Sequence, residues 1–209
     1  MPFSRDAFFD VFATYNTAFW PLALILWIAT LAAFTVHPSE RAGTGGVLGL
    51  LAIQWAWSGL AYHAAIFSRI TPAAWVFAAL FLAEAALLAW SSLVRPRLEF
   101  SDEPSVWVAV GYGLVAYGLF YPLIVMAGGH AYPRTPTFGV PCPTALVTVG
   151  FLTLLRGRVP ATLAIIPILW AAIAASAAFL FGVYADLMLV VAGIVLALRT
   201  SSNMTTVAG

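Results

Sequence analysis

The sequence predicts an all-α membrane protein, a bundle of about seven transmembrane helices. Three observations predict it. Of 209 residues, 63% are hydrophobic and 8% are charged, with a mean hydropathy of +0.98. Soluble domains carry about 25% charged residues, and so few cannot cover a water-facing surface. The apolar residues also fall into seven stretches, near 17–36, 44–67, 71–94, 105–127, 142–157, 161–182 and 184–200. A helix needs roughly 20 residues to cross a bilayer, so the fifth is short.

The chain divides into an N-terminal segment (1–16), a helix-bundle domain (17–200) and a C-terminal tail (201–209). In the first segment Phe8, Phe9, Phe12, Tyr15 and Phe19 recur at about helical spacing, with Arg5, Asp6 and Asp10 between them. This pattern predicts a short amphipathic helix lying on the membrane surface. The mixed charges, and the six further spans, argue against a cleaved signal peptide. Asn16 before span one and Asp186 at the start of span seven are good helix N-cap types. Cys142 and Pro143 open span five, proline being favoured in a first helical turn. "WPLAL" (20–24) and "CPTAL" (142–146), with "FSRITPAAWVFA" (67–78) and "FGVYADLMLVVA" (181–192), suggest a faint 3+1+3 parallel repeat.

All nine basic residues are arginines. With seven spans, Arg41, Arg95, Arg97, Arg156, Arg158 and Arg199 share one side, and Arg5, Arg69 and Arg134 the other. The arginine bias places the first group in the cytoplasm, with the N-terminus outside and the C-terminus inside. The loop Gly128–Thr144, with its four prolines and three glycines, then faces outward. A net charge of +1 gives no reason to expect nucleic acid. One cysteine excludes an internal disulfide and CxxC chemistry.

Three groups of polar residues could carry chemistry. Glu84, deep in "FLAEAALL", lies 13 residues from the outer start of its helix, roughly 20 Å. Gln54 lies at the same depth on the preceding, antiparallel span, so a Gln54–Glu84 hydrogen bond is expected. Glu84 is either a proton or cation site or a neutral structural carboxyl. Tyr62 and His63, near the outer end of span two, are either interfacial belt residues or a ligand and proton carrier. In the loop, His130, Tyr132, Arg134 and Cys142 bring an imidazole, a phenol, a fixed cation and a thiol. The loop is expected to fold over the outer mouth of the bundle, with Arg134 reaching Asp186. His63, His130 and Cys142 are the only candidates for a soft metal such as Cu(I) or Zn, a sparse ligand set beside the plain reading of Cys142 as a packed side chain. A helix N-terminus could also lower the Cys142 pKa. No HExxH, GxSxG or P-loop is present, the absence of lysine excludes a retinal Schiff base, and no cofactor is indicated.

"YNTAFWP" (15–21), "TPAAWVFAALFL" (71–82) and "GHAYPRTPTFGVPCPT" (129–144) resemble a family of small bacterial multi-pass membrane proteins that is catalogued only as a domain of unknown function. The resemblance runs from about Tyr15 to the last span, with FGVPCP its most specific part; Ala145 stands where the family often has a second threonine. It implies a bacterial inner-membrane location and no activity.

These residues predict transport or binding of a small solute or ion through an outward-facing polar vestibule, lined by Tyr62, His63, His130, Tyr132, Arg134 and Cys142, with Gln54 and Glu84 below. The alternative is an accessory subunit or assembly factor of a larger membrane complex. Its signs are the aromatic content and a small-residue face at Ala109, Gly113 and Gly118. A third reading is an enzyme using Cys142 with a histidine. The lipid bilayer is the partner throughout; self-association and other membrane subunits stay open.

Overall fold

A computed structural model describes residues 3–36, 41–94, 98–101 and 103–201. The expectations for Arg95 and Arg97, and for the tail after 201, lie outside the described residues. The described residues form seven α-helices: α1 (Arg5–Thr35), α2 (Arg41–Trp57), α3 (Ala74–Val94), α4 (Val106–Ala127), α5 (Pro141–Thr153), α6 (Ala161–Phe181) and α7 (Leu187–Ser201). Strands are absent among the described residues, apart from one isolated bridge between Phe100 and Leu155. Sequential, antiparallel helices pack most closely, as short connections require: α2 on α3, α4 on α5, α6 on α7.

Among the described residues, five stretches are long and apolar enough to cross a membrane: α1, α3, α4, α6 and Tyr184–Ser201. α2 has 17 residues and continues into a seven-residue π-helical turn, Ser58–Ala64, which extends it to comparable length. α5 is the exception. Its 13 residues reach roughly 20 Å, short of the hydrocarbon core. It is instead the central helix, buried along nearly its whole length. Helix lengths do not repeat between the two halves: α1 has 31 residues and α5 has 13.

The chain preceding α5 explains how so short a helix is reached. Thr135, Phe138 and Val140 are buried, so the second half of the Gly128–Thr144 loop runs inside the bundle as irregular backbone. Such backbone is tolerated at membrane depth only where protein surrounds it. The Tyr15 hydroxyl donates to the Phe138 carbonyl (3.0 Å) and accepts from Trp57 Nε1 (2.8 Å). Gly139 adopts φ +80° against Tyr15, Trp57 and Leu26; a side chain there meets both a left-handed backbone and no free space.

The N-terminal segment is helical, and its aromatic face packs on the bundle. Pro21 cannot donate to the Thr17 carbonyl, and α1 breaks at Phe19 (φ −127°, ψ 15°). The half before the break turns Phe8, Phe9, Val11, Phe12 and Tyr15 into the protein. Its aromatic periodicity fits burial against the bundle as well as burial in lipid, and here protein covers it. Asn16 is not a cap. It lies within α1 and is buried, donating through Nδ2 to the carbonyls of Pro133 (2.6 Å) and Thr135 (2.7 Å) and accepting from Thr137 Oγ1. Ser4 caps α1 instead.

Candidate functional site

A cavity of about 260 Å³ opens at the end of the bundle that carries the Gly128–Thr144 loop. Phe8 and Phe12 of α1 roof it, with Phe3 beside them. Tyr62, His63 and Phe67 come from the π turn and the segment after it, Phe77 from α3, and Trp170 and Phe181 from α6. Cys142, in the first turn of α5, and Asp186, in the 3-10 turn Tyr184–Asp186, complete the wall. The π turn supplies Tyr62 and His63. Such turns add a residue to an α-helix and often mark sites where a side chain is re-aimed.

The rings form a continuous cluster. Phe8 stacks on Phe181 at 4.2 Å between centroids, and Phe12 on Tyr62 at 5.6 Å. His63 is fully buried among Phe81 (4.7 Å), Trp170 (5.3 Å), Phe77 (5.6 Å) and Phe67 (6.0 Å). Among the described residues, neither of its ring nitrogens has a hydrogen-bond partner, and Trp170 Nε1 has none either. Asp186 is 2% exposed and accepts from the Tyr121 hydroxyl, with the Cys142 thiol within hydrogen-bond reach. It directly precedes α7.

The structure brings Tyr62, His63, Cys142 and Asp186 to one cavity and sends the other expected residues elsewhere. His130 stacks on Phe9 (4.6 Å) and borders a second cavity of about 240 Å³ between α4 and the Gly182–Ala185 turn. Partial burial, and then the charge of Arg5, hold its pKa below the ordinary value. Tyr132 is 53% exposed and edges a groove of about 470 Å³ between α1 and α4, beside Trp20 and Trp27. Arg134 pairs not with Asp186 but with Asp10 (2.6 and 2.9 Å) and Asp6 (3.4 Å), and Asp10 pushes its pKa up. The cause is the fold-back of the N-terminal segment, which carries those aspartates over the loop.

Gln54 and Glu84 are buried but not bonded to each other. Gln54 Nε2 donates to Thr30 Oγ1 (2.6 Å), and both Glu84 oxygens lack a partner among the described residues. Neither residue lines any of the three cavities above. The three candidate metal ligands do not converge: among the described residues, no three His, Cys, Asp or Glu side chains are placed to share an ion. Cys142 meets a carboxylate and a phenol rather than an imidazole base, so the expected nucleophile–base pair is not formed.

Sequence reasoning missed most of the cavity wall, namely Phe8, Phe12, Phe67, Phe77, Trp170 and Phe181, and the Tyr121 hydroxyl beneath it. The one local signal for Tyr121 is a tyrosine beside Pro122 in mid-helix, where no interfacial role applies.

Fold and site together define an all-helical bundle, with helices long and apolar enough to cross a membrane and an aromatic cavity at one end. The chain belongs to a family of unknown function (DUF6064), which it matches over residues 5–207. No curated protein and no solved structure matches it.

Proposed function

We propose that this protein is a ligand-binding protein of the bacterial inner membrane, with its N-terminus outside, its C-terminus cytoplasmic and its aromatic cavity in the outer half. The cavity carries the proposal. It is a concave, mostly apolar space with a few convergent polar groups, the usual form of a small-molecule site. This differs from the polar vestibule expected from composition, and it favours an apolar-bodied ligand over a bare ion.

The first half of α1 acts as a lid. Phe3, Phe8 and Phe12 close the cavity, the break at Phe19 provides a hinge, and Asn16, Asp6 and Asp10 tie the segment to the loop. Transport extends the reading: towards the middle of the bundle, Ser58, Gln54 and Glu84 keep unpaired polar atoms, which is where a path would continue. The arginines support the orientation. By sequence, three (Arg5, Arg69 and Arg134) belong to the side of the loop, against six on the opposite side.

The test is saturable binding of a small apolar aromatic molecule, neopentylbenzene, to the detergent-purified protein, read by quenching of tryptophan fluorescence. Ala174→Phe, which fills the cavity from α6, should abolish it. Binding that never saturates, or that survives Ala174→Phe unchanged, refutes the assignment.

A further inference from the structure

We infer that the cavity takes a small lipophilic organic cation, an amine or quaternary ammonium on an apolar body, with its charge set against Asp186. This rests on the ligand-binding reading and names the chemistry of the ligand.

The first observation is an acid lacking a counter-ion. Asp186 lies in the cavity wall, almost wholly removed from water. Both of its recorded partners, the Tyr121 hydroxyl and the Cys142 thiol, are neutral donors. Among the described residues no arginine pairs with it, and the chain has no lysine. Two neutral donors orient a carboxylate and leave its charge uncompensated, which is costly in a low-dielectric setting. A bound cation supplies the missing charge.

The second observation is the wall. Aromatic rings carry negative faces, and a cation within about 6 Å of a ring centroid is attracted to them, more strongly when both are shielded from water. Eight aromatic rings, those of Phe8, Phe12, Tyr62, Phe67, Phe77 and Trp170 among them, line the space. The same surface repels an anion, as does Asp186.

The third is His63. It is fully buried in the same wall with both ring nitrogens unpaired. A neutral imidazole offers one donor and one acceptor, so it can accept from a protonated amine. Size and access agree. About 260 Å³ suits a ligand of one ring and a charged head, and the wall includes Leu180 and Ser176, both exposed on α6, so an apolar body can enter from the outer face of that helix.

Benzyltrimethylammonium and neopentylbenzene differ only in a charged nitrogen replacing a carbon, so they isolate the charge. Binding of each to the full chain in detergent is measured by calorimetry and by tryptophan fluorescence. The expected result is at least a tenfold preference for the cation, removed in Asp186→Asn while neopentylbenzene affinity stays within about twofold. Equal affinities, or tighter binding of the neutral molecule, overturn the cation assignment and leave the ligand-binding reading standing. Binding of neither molecule overturns both. Should Asp186→Asn fail to fold, the wild-type comparison decides alone. A preference that persists in folded Asp186→Asn removes Asp186 from the site.

Discussion

Replacing Asn16 by alanine tests whether the lid is held as the structure implies. The side chain makes three hydrogen bonds to the loop: Nδ2 to the carbonyls of Pro133 and Thr135, and Oδ1 from Thr137. Asn16 and Thr135 are buried, so water cannot readily replace the lost partner. At a net 0.5–1.5 kcal/mol per bond, the loss comes to roughly 2–4 kcal/mol. For a chain of this size that lowers the melting temperature on the order of 5–10 °C. Asn16→Asp discriminates further. It keeps the volume but turns the Nδ2 donor into an oxygen facing two carbonyls, so it should destabilise at least as much as alanine. The second assay is labelling of Cys142, the only thiol, which is half-buried in the cavity wall beneath the lid. A bulky, membrane-impermeant maleimide should label wild type slowly and Asn16→Ala faster. A wild-type melting temperature in Asn16→Ala, or a milder effect of aspartate than of alanine, would refute the reasoning.

Two further outcomes are expected. At the close α4–α5 contact, a Cβ on Gly150 would lie 2.8 Å from Val115 N and 2.9 Å from the Gly111 carbonyl oxygen, both backbone atoms that cannot rotate away. Gly150→Ala should therefore cost about 1–3 kcal/mol, while Gly113→Ala, with nothing within 4 Å, should be neutral or slightly stabilising; thermal melts that rank the two alike contradict this packing. His130 carries a folded-state pKa below its unfolded value, so the unfolded chain binds its proton more readily. Its contribution is present above the unfolded pKa near 6.5 and is lost as pH falls below it, so the melting temperature should drop from pH 7 to pH 5, less steeply in His130→Gln.

Span positions were legible because each crossing helix must be apolar over a length that the bilayer dictates; α3, α4, α6 and α7 begin and end close to where hydropathy puts them. α5 was legible as a helix but not as a buried one, since burial in protein and burial in lipid select the same side chains. The site was harder to read. Tyr62, His63, Cys142 and Asp186 stood out as polar types in apolar surroundings, and they do meet. The rings around them come from α1, α3, α6 and the segment after the π turn, and no local spacing links those. Placing the N-terminal segment on the membrane had a second consequence. It removed Asp10 from reach of Arg134, left Asp186 as the nearest acid, and turned Asn16 into a cap. One tertiary contact, Asn16 on the Pro133 and Thr135 carbonyls, reverses all three.

Glu84 separates structural from functional explanations of a buried polar group. It lies one turn after Phe81, whose ring packs at 4.3 Å on Trp55, and the carboxyl has no hydrogen-bond partner among the described residues. The expected Gln54 partner is turned to Thr30, so removing Glu84 leaves no new orphan on Gln54 Nε2. A buried polar group lacking a partner costs stability, and leucine would fill similar space with no such penalty. Glu84→Gln should therefore melt close to wild type, and Glu84→Leu at the same temperature or higher. Glu84→Ala should melt lower, through the space it leaves. A neutral carboxylic acid should show in the infrared as a carbonyl band that disappears in Glu84→Gln. Together these outcomes would mean that the chain keeps an acid in mid-bundle at the expense of stability, the pattern of a group retained for proton or ligand movement. Severe and equal destabilisation by glutamine and leucine would instead identify an ionised carboxylate held by a partner, and Glu84 would then be part of the scaffold.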